Sequence, residues 1–257
     1  MAVASSLAAR TGSAARRRSR FLMTAIKWCC TPDRRAAPRP SPNSRRVPRG
    51  LSSAIYAAPP RSEASQTRSN AMGRMDAIIH NAGVYTARSR SSTPEGHAGT
   101  LAVNTLAPYM LTALIERPGR LVYLSSGLHR GGEGSLSDLD WTKRTWDPAK
   151  AYAESKLHVV ALALALARRW PQVLSNAVDP GWARTRMGGP GAPVDLDTGQ
   201  RTQTWLAVSG DPAAMVSGRY WHHLRQEQPA SEVTDRGFQD QLISKLDELT
   251  GVALPEA

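Results

Sequence analysis

The chain has 257 residues, enough for one large α/β domain or a smaller domain with a long appendage, and a formal net charge of +12. Residues 1–70 hold 14 of the 33 Lys and Arg but only 2 of the 21 Asp and Glu, which leaves 19 of each sign in residues 71–257. The excess charge therefore belongs to an appendage, so a basic nucleic-acid or membrane face on the folded part is excluded and no nucleic-acid partner is expected.

The first 70 residues carry Ala, Arg, Ser or Pro at 44 positions and only two glycines, Gly12 and Gly50. With no sustained period of 2 or 3.6, they cannot bury enough apolar surface to offset their ordering entropy, and disorder is expected. The one apolar patch, FLMTAIKWCC at 21–30, follows RRRSR and is interrupted by Lys27. No small-residue cleavage site follows it, so a secretory signal is not expected; import into an organelle through residues 1–30 stays open as a secondary alternative to the cytoplasm. Cys29 and Cys30 are adjacent, and no other cysteine exists to pair with them or to hold a metal. A cysteine-free remainder is compatible with a reducing cytoplasm. No run approaches the ~18 apolar residues of a membrane span. VVALALALA at 159–167 is too short and reads as a buried amphipathic helix.

From residue 71 the pattern changes. MDAIIH (75–80), RLVYLSS (120–126) and VLSNAVDPG (173–181) are short apolar runs bounded by turn residues, as expected for strands buried on both faces of a parallel sheet. Between the first two, residues 95–116 read as a helix bent by Pro108. Between the second and third, a polar excursion (127–147) leads into a helix over 147–170, with Asp147 as N-cap and Pro148 at its first position. This alternation predicts a Rossmann-like, doubly wound parallel sheet whose ligands bind beyond the carboxyl ends of the strands. Asn81-Ala82-Gly83, Ser125-Ser126 and Pro180-Gly181 fall at those ends.

In AYAESKLH, Tyr152 and Lys156 lie one helical turn apart on one face. A phenol has an unperturbed pKa of about 10, and an ammonium beside it favours the phenolate, a sensible pairing for moving a proton at a carbonyl oxygen. Ser126 could hold the same oxygen. Each residue alone has a plainer reading: a partly buried Tyr with a solvated Lys, a turn cap at Ser126, and at Asn104 an amide that bonds neighbouring backbone.

Taken in order, HNAG, the Asn104 of LAVNTLAPYML, LVYLSS, Y-x-x-x-K and DPGWART make the chain resemble the short-chain dehydrogenase/reductase family from about Met72 to the C-terminus. The resemblance implies NAD(P)-dependent hydride transfer to or from a carbonyl or alcohol carbon, with a small-molecule substrate. It implies Tyr152 as general acid/base, Lys156 as the residue that lowers its pKa and bonds the nicotinamide ribose, and Ser126 as orienting the substrate oxygen. Asn104 matches the residue that completes a water-linked proton relay. Asn81, Ala82 and Gly83 match the segment beside the cofactor ribose, and Pro180, Gly181 and Thr185 the stretch beside the nicotinamide. A homodimer or homotetramer is also implied. His80 stands where the family commonly has the first Asn of N-N-A-G. Residues 202–229 match the last helix and strand, with Ser217-Gly218 opening the strand. His222 and His223 lack spaced partners, so no metal site is expected. Trp182 is read either as lining the substrate pocket or as core.

The family's glycine-rich turn, T-G-x-x-x-G-x-G, receives the pyrophosphate on backbone N–H groups, and the sequence has no such turn. Thr11-Gly12-Ser13 lacks the later glycines, GLSSA at 50–54 is at most an echo of a later loop, and the strand end that would choose NAD or NADP is missing. Residues 71–257 therefore read as a partial domain. Residues 1–70 read as the product of a shifted reading frame in GC-rich DNA or as a genuine extension. The alternative function is a catalytically inactive remnant serving at most as a binding or interaction protein. Lost strands would also leave a sheet edge open.

Overall fold

The computed structural model describes the backbone of residues 21–24, and residues 74–85 and 89–256. Thr11–Ser13, Cys29, Cys30 and residues 50–54 lie outside them. Six strands form one sheet in sequence order: β1 (Phe21–Thr24), β2 (Ala77–His80), β3 (Arg120–Leu124), β4 (Leu174–Asp179), β5 (Tyr220–His222) and β6 (Arg225–Glu227). The first five are parallel; β6 returns antiparallel from a tight turn at His223 and Leu224, both with positive φ. The three strands expected after residue 71 are present, each trimmed at its ends.

β1 is four residues of the basic tract, most of which is expected to be disordered. Phe21 pairs with Ala77 and Thr24 with His80, so the outer edge of β2 is covered by a strand taken from the apolar patch of the basic tract. The remainder of that expectation falls outside the described residues.

Helices cover both faces of the sheet. On one face Ala77, Ile79, Val122, Leu124 and Val178 pack against Leu206 and Ala207 of a helix over Leu196–Val208 (the fourth in chain order, α4). On the other face Ile78, Leu121, Tyr123 and Ala177 meet the larger core. That core is built by α1 (Gly99–Leu101) and α2 (Ala107–Leu114), joined by a π-helical stretch at Ala102–Leu106, by α3 (Pro148–Arg169), and by α5 (Arg236–Thr250). The strict two-residue alternation of strands thus sorts consecutive side chains into two cores, giving a Rossmann-like three-layer fold.

The bend expected at Pro108 takes the form of the π-helical stretch just before it. Proline has no N–H, so the Asn104 carbonyl, four residues earlier, loses its α-helical donor and the turn widens. α3 begins as its sequence dictates: Asp147 Oδ1 accepts from the N–H groups of Ala149 and Lys150, and Pro148 opens the helix. It is not amphipathic. Tyr152 to Ala163 are buried without a break, because the sheet covers one side while α5 and the short turn Ser231–Thr234 cover the other.

The polar excursion before α3 is latched to it. Asp138 accepts from the N–H groups of Thr142, Lys143 and Arg144, and Arg144 forks onto buried Glu154 at 2.8 and 2.9 Å. The Trp141 indole N–H donates to the same carboxylate at 3.0 Å, and the guanidinium lies 3.8 Å from the Trp141 ring centre. A buried carboxylate stripped of its cation is strongly destabilising. Arg144→Ala is therefore expected to cost about 3 kcal/mol in urea unfolding; a loss within experimental error would show that the latch does not hold α3.

Candidate active site

Tyr152 and Lys156 project from α3 toward the carboxyl ends of β3 and β4. Lys156 Nζ is buried, donates to the Leu124 carbonyl at 2.8 Å and stands 5.7 Å from the centre of the Tyr152 ring. Ser126, just beyond β3, lies close enough to Tyr152 for its hydroxyl to act on the phenol, and it accepts from the Leu128 N–H at 3.3 Å as a turn cap. Its neighbour Ser125 is turned away and donates to the Lys156 carbonyl at 3.0 Å.

Asn104 comes to the same place from the π-helical stretch. Its Oδ1 accepts from the Val84 N–H at 2.8 Å, and its Nδ2 donates to the Val84 carbonyl at 3.0 Å and to Ser155 Oγ at 2.9 Å. Both amide protons are thereby committed. The Val84 clamp holds Asn81-Ala82-Gly83 over the floor of the site. A Cβ on Gly83 would lie 3.3 Å from Lys156 Nζ and 3.7 Å from Asn104 Oδ1, which is why glycine stands there.

Burial dominates the electrostatics. It pushes the Tyr152 phenol up to about 12, against the Ser126 hydrogen bond, and pulls the Lys156 ammonium down to about 8. Desolvation of the phenolate is the largest cause at Tyr152, followed by the Ser126 hydroxyl, which acts the other way. The Tyr152 phenol is accordingly neutral at pH 7, beside the buried Lys156 side chain.

Pro180 and Gly181 follow β4, with Gly181 at φ +74. Thr185 is not brought to Tyr152 by any hydrogen bond of its own; its hydroxyl accepts from the Gly188 N–H at 3.0 Å within an exposed loop. Trp182 is 61% exposed, which removes the core reading, and its indole N–H donates to the Gly188 carbonyl. Tyr85 packs edge-on against Tyr152 at 4.9 Å, and Met187 reaches within 3.9 Å of a Cβ on Gly83. Tyr85, Leu128, Trp182 and Met187 are among the few large apolar side chains left exposed, and they lie on the segments that border the site.

Three residues here were not singled out from sequence. Tyr85 is one. His129 is another: fully buried, its Nδ1 meets the Ser126 carbonyl at 2.8 Å and its Nε2 accepts from the Ala230 N–H at 3.1 Å. Asp179 is the third, and only its place directly before Pro180-Gly181 could have marked it. His80 is buried, stacked on Tyr123 and bonded to Thr112 at 3.1 Å, in the second core and away from the site. His222 and His223 stack on each other, and no group of three or more His, Cys, Asp or Glu side chains gathers as a metal site among the described residues.

The short-chain dehydrogenase chyC of Penicillium rubens is 36% identical over 190 residues, covering 72% of this chain and 73% of that protein. The chain belongs to the short-chain dehydrogenase/reductase family. Human retinol dehydrogenase 13, another relative of this short-chain dehydrogenase, is 31% identical over 208 residues, 71% of this chain and 62% of that protein. A crystal structure of an uncharacterized protein from Mycobacterium paratuberculosis superposes with a TM-score of 0.63 at 25% identity, over 75% of this chain and 73% of that one. No protein-family model matches the chain. By these likenesses the short-chain dehydrogenase is of an oxidoreductase type.

The Asn104 clamp has a direct consequence for the loop. Asn104→Ala leaves both polar groups of Val84 without partners, at a cost of about 1–3 kcal/mol each if they stay buried. Hydrogen exchange of the Val84 amide is expected to accelerate more than tenfold; an unchanged rate would mean that other contacts hold Asn81–Val84.

Proposed function

We propose that the chain is an NAD(P)-dependent oxidoreductase that moves hydride to or from a carbonyl or alcohol carbon, with Tyr152 as general acid/base. The observation that carries this reading is the Tyr152 phenol set close to the Ser126 hydroxyl and beside the buried Lys156 ammonium at the strand ends. In reduction Tyr152 gives its proton to the substrate oxygen, which Ser126 orients. Lys156 stabilises the phenolate left behind and can return a proton to it. Asn104, through Val84 and Ser155, keeps the Gly83 floor and α3 in register.

The nicotinamide end of a cofactor fits these residues. Lys156 uses one of its three donors on Leu124, leaving others for ribose hydroxyls, and Gly83 offers backbone with no side chain in the way. Asn81, Ala82, Gly83, Tyr152, Lys156, Pro180, Gly181 and Thr185 are the residues we assign to hold it. When bound, the nicotinamide supplies or accepts the hydride. The exposed apolar side chains around Tyr152 favour a carbonyl carried on an apolar frame, and the name of the human relative points to such an alcohol.

The absence of cysteine after Cys30 supports a cytoplasmic site of action, and no described helix is long and apolar enough to cross a membrane. A homodimer or homotetramer would have to use a face other than that of α3, which α5 already covers.

A second reading has its own observation. β1 ends at Thr24 beside His80, where a phosphate-binding turn would start, yet the sequence from Ala25 to Arg49 contains no glycine. On that reading the chain is an inactive remnant with a binding role. Fluorescence titration separates the two: quenching or enhancement of NADPH or NADH at micromolar protein eliminates the remnant. For the first reading, Tyr152→Phe is expected to lower NADPH-dependent reduction of aromatic ketones such as acetophenone at least ~10²-fold. Cofactor affinity should stay within about twofold, and retained turnover would overturn the assignment of Tyr152.

A further inference from the structure

Asp179 ends β4 and takes no part in the steps above. Its carboxylate is buried at 9% exposure. Oδ1 accepts from the Gly181 N–H at 2.8 Å, Oδ2 lies 3.3 Å from His222 Nδ1, and Oδ2 would be 3.1 Å from a Cβ on Gly127. Three segments thus close on one carboxylate: the Pro180–Gly181 turn, the β5–β6 hairpin and the Ser126–Gly127 corner.

A buried carboxylate is tolerated only with donors or opposite charge around it. Its one direct donor is the Gly181 N–H; the His222 imidazole stands beside it but hydrogen-bonds the Asp179 main-chain carbonyl at 3.3 Å. The titratable groups facing it are Tyr152 and Lys156 on α3, His129 in the turn after β3, and Tyr220 and His222 on β5, with His223 stacked behind His222. Farther out, Arg130 and Glu227 pair with each other at 3.1 Å. Lys156 is the buried cation of this group, and its own hydrogen bond goes to a neutral carbonyl. Val178 pairs with Leu124, whose carbonyl takes the Lys156 hydrogen bond, and Asp179 follows Val178 on the sheet face that Ala177 shares with α3, so Asp179 is the strand-end carboxylate placed beside this cation.

We propose that Asp179 is a positioning residue that acts as the counter-charge of the site, holding Lys156 as ammonium and Tyr152 as phenol while its bond to the Gly181 N–H fixes the turn beside them. This rests on the reading of Tyr152 and Lys156 as the proton-transfer pair. Oxidation, which needs the phenolate, is made harder by the carboxylate, and reduction, which needs the phenol, is favoured.

The test does not require turnover. The chain has five lysines, so the protein labelled with carbon-13 lysine gives a small set of side-chain signals, with Lys156 assigned by Lys156→Arg. In the unsubstituted protein Lys156 should titrate at about 8. In Asp179→Asn the midpoint should fall by about one pH unit, as expected for losing a neighbouring strand-end carboxylate. Asp179→Ser keeps an acceptor for the Gly181 N–H and should give the same fall, which covers the case in which the Asn variant does not fold. A shift below about 0.2 unit in a folded variant, with the other lysines unmoved, overturns the proposal. If Lys156 shifts but Tyr152→Phe retains turnover, the proton-transfer reading fails and the electrostatic role of Asp179 stands. If Tyr152→Phe is inactive and Lys156 does not shift, only the role of Asp179 falls.

Discussion

Because Lys156 Nζ is buried and donates to the Leu124 carbonyl, α3 must pass the end of β3 at a fixed height and rotation. A cation out of water tolerates little slack in its hydrogen bonds, since each lost bond costs more than it would at the surface. The same helix brings Tyr152 toward Ser126, offers Ser155 to Asn104, and takes the latch of Arg144 and Trp141 on Glu154. Contacts from the sheet, the π-helical stretch and the polar excursion all meet within residues 152–156. The site is therefore rigid for a reason that can be named: three elements are tied to five consecutive residues.

Much of this was legible in the sequence where local chemistry decides. The strands were readable from apolar runs ending in Asn81, Ser125 and Pro180, and the start of α3 from Asp147-Pro148. Ser126 lies near Tyr152 at the end of β3, and Asn104 meets α3 through Ser155. What escaped depends on partners distant in sequence. Nothing local to Asn104 says that its amide will close on Val84, and nothing local to AYAESK says that burial will raise the Tyr152 phenol against a neighbouring ammonium. The all-round burial of α3 depends on α5, some eighty residues later. Val159 to Ala167 read as one face of an amphipathic helix because its second covering layer cannot be seen from the helix itself.

The basic tract shows the opposite limit. Its composition offers no period to read, yet Phe21–Thr24 joins the sheet through backbone pairing, which is indifferent to most side chains. An open edge beside β2 presents a row of N–H and C=O groups, and four residues from an unpatterned segment suffice to cap it. Sequence period predicts who will be buried; it does not predict who will lend a backbone.

α5 is the last element in chain order, yet it supplies Leu242, Ile243 and Leu246 to the core around α3, with Arg168 and Arg169 of α3 paired to Asp240. During synthesis, Tyr152 and Lys156 leave the ribosome roughly eighty residues before the wall that keeps their helix dry. Until that wall arrives, α3 exposes an unbroken apolar side to the cell, the kind of surface that chaperones hold and proteases find. A nascent chain stalled between Thr185 and Val233 would thus carry every motif of the site without the wall that keeps α3 dry.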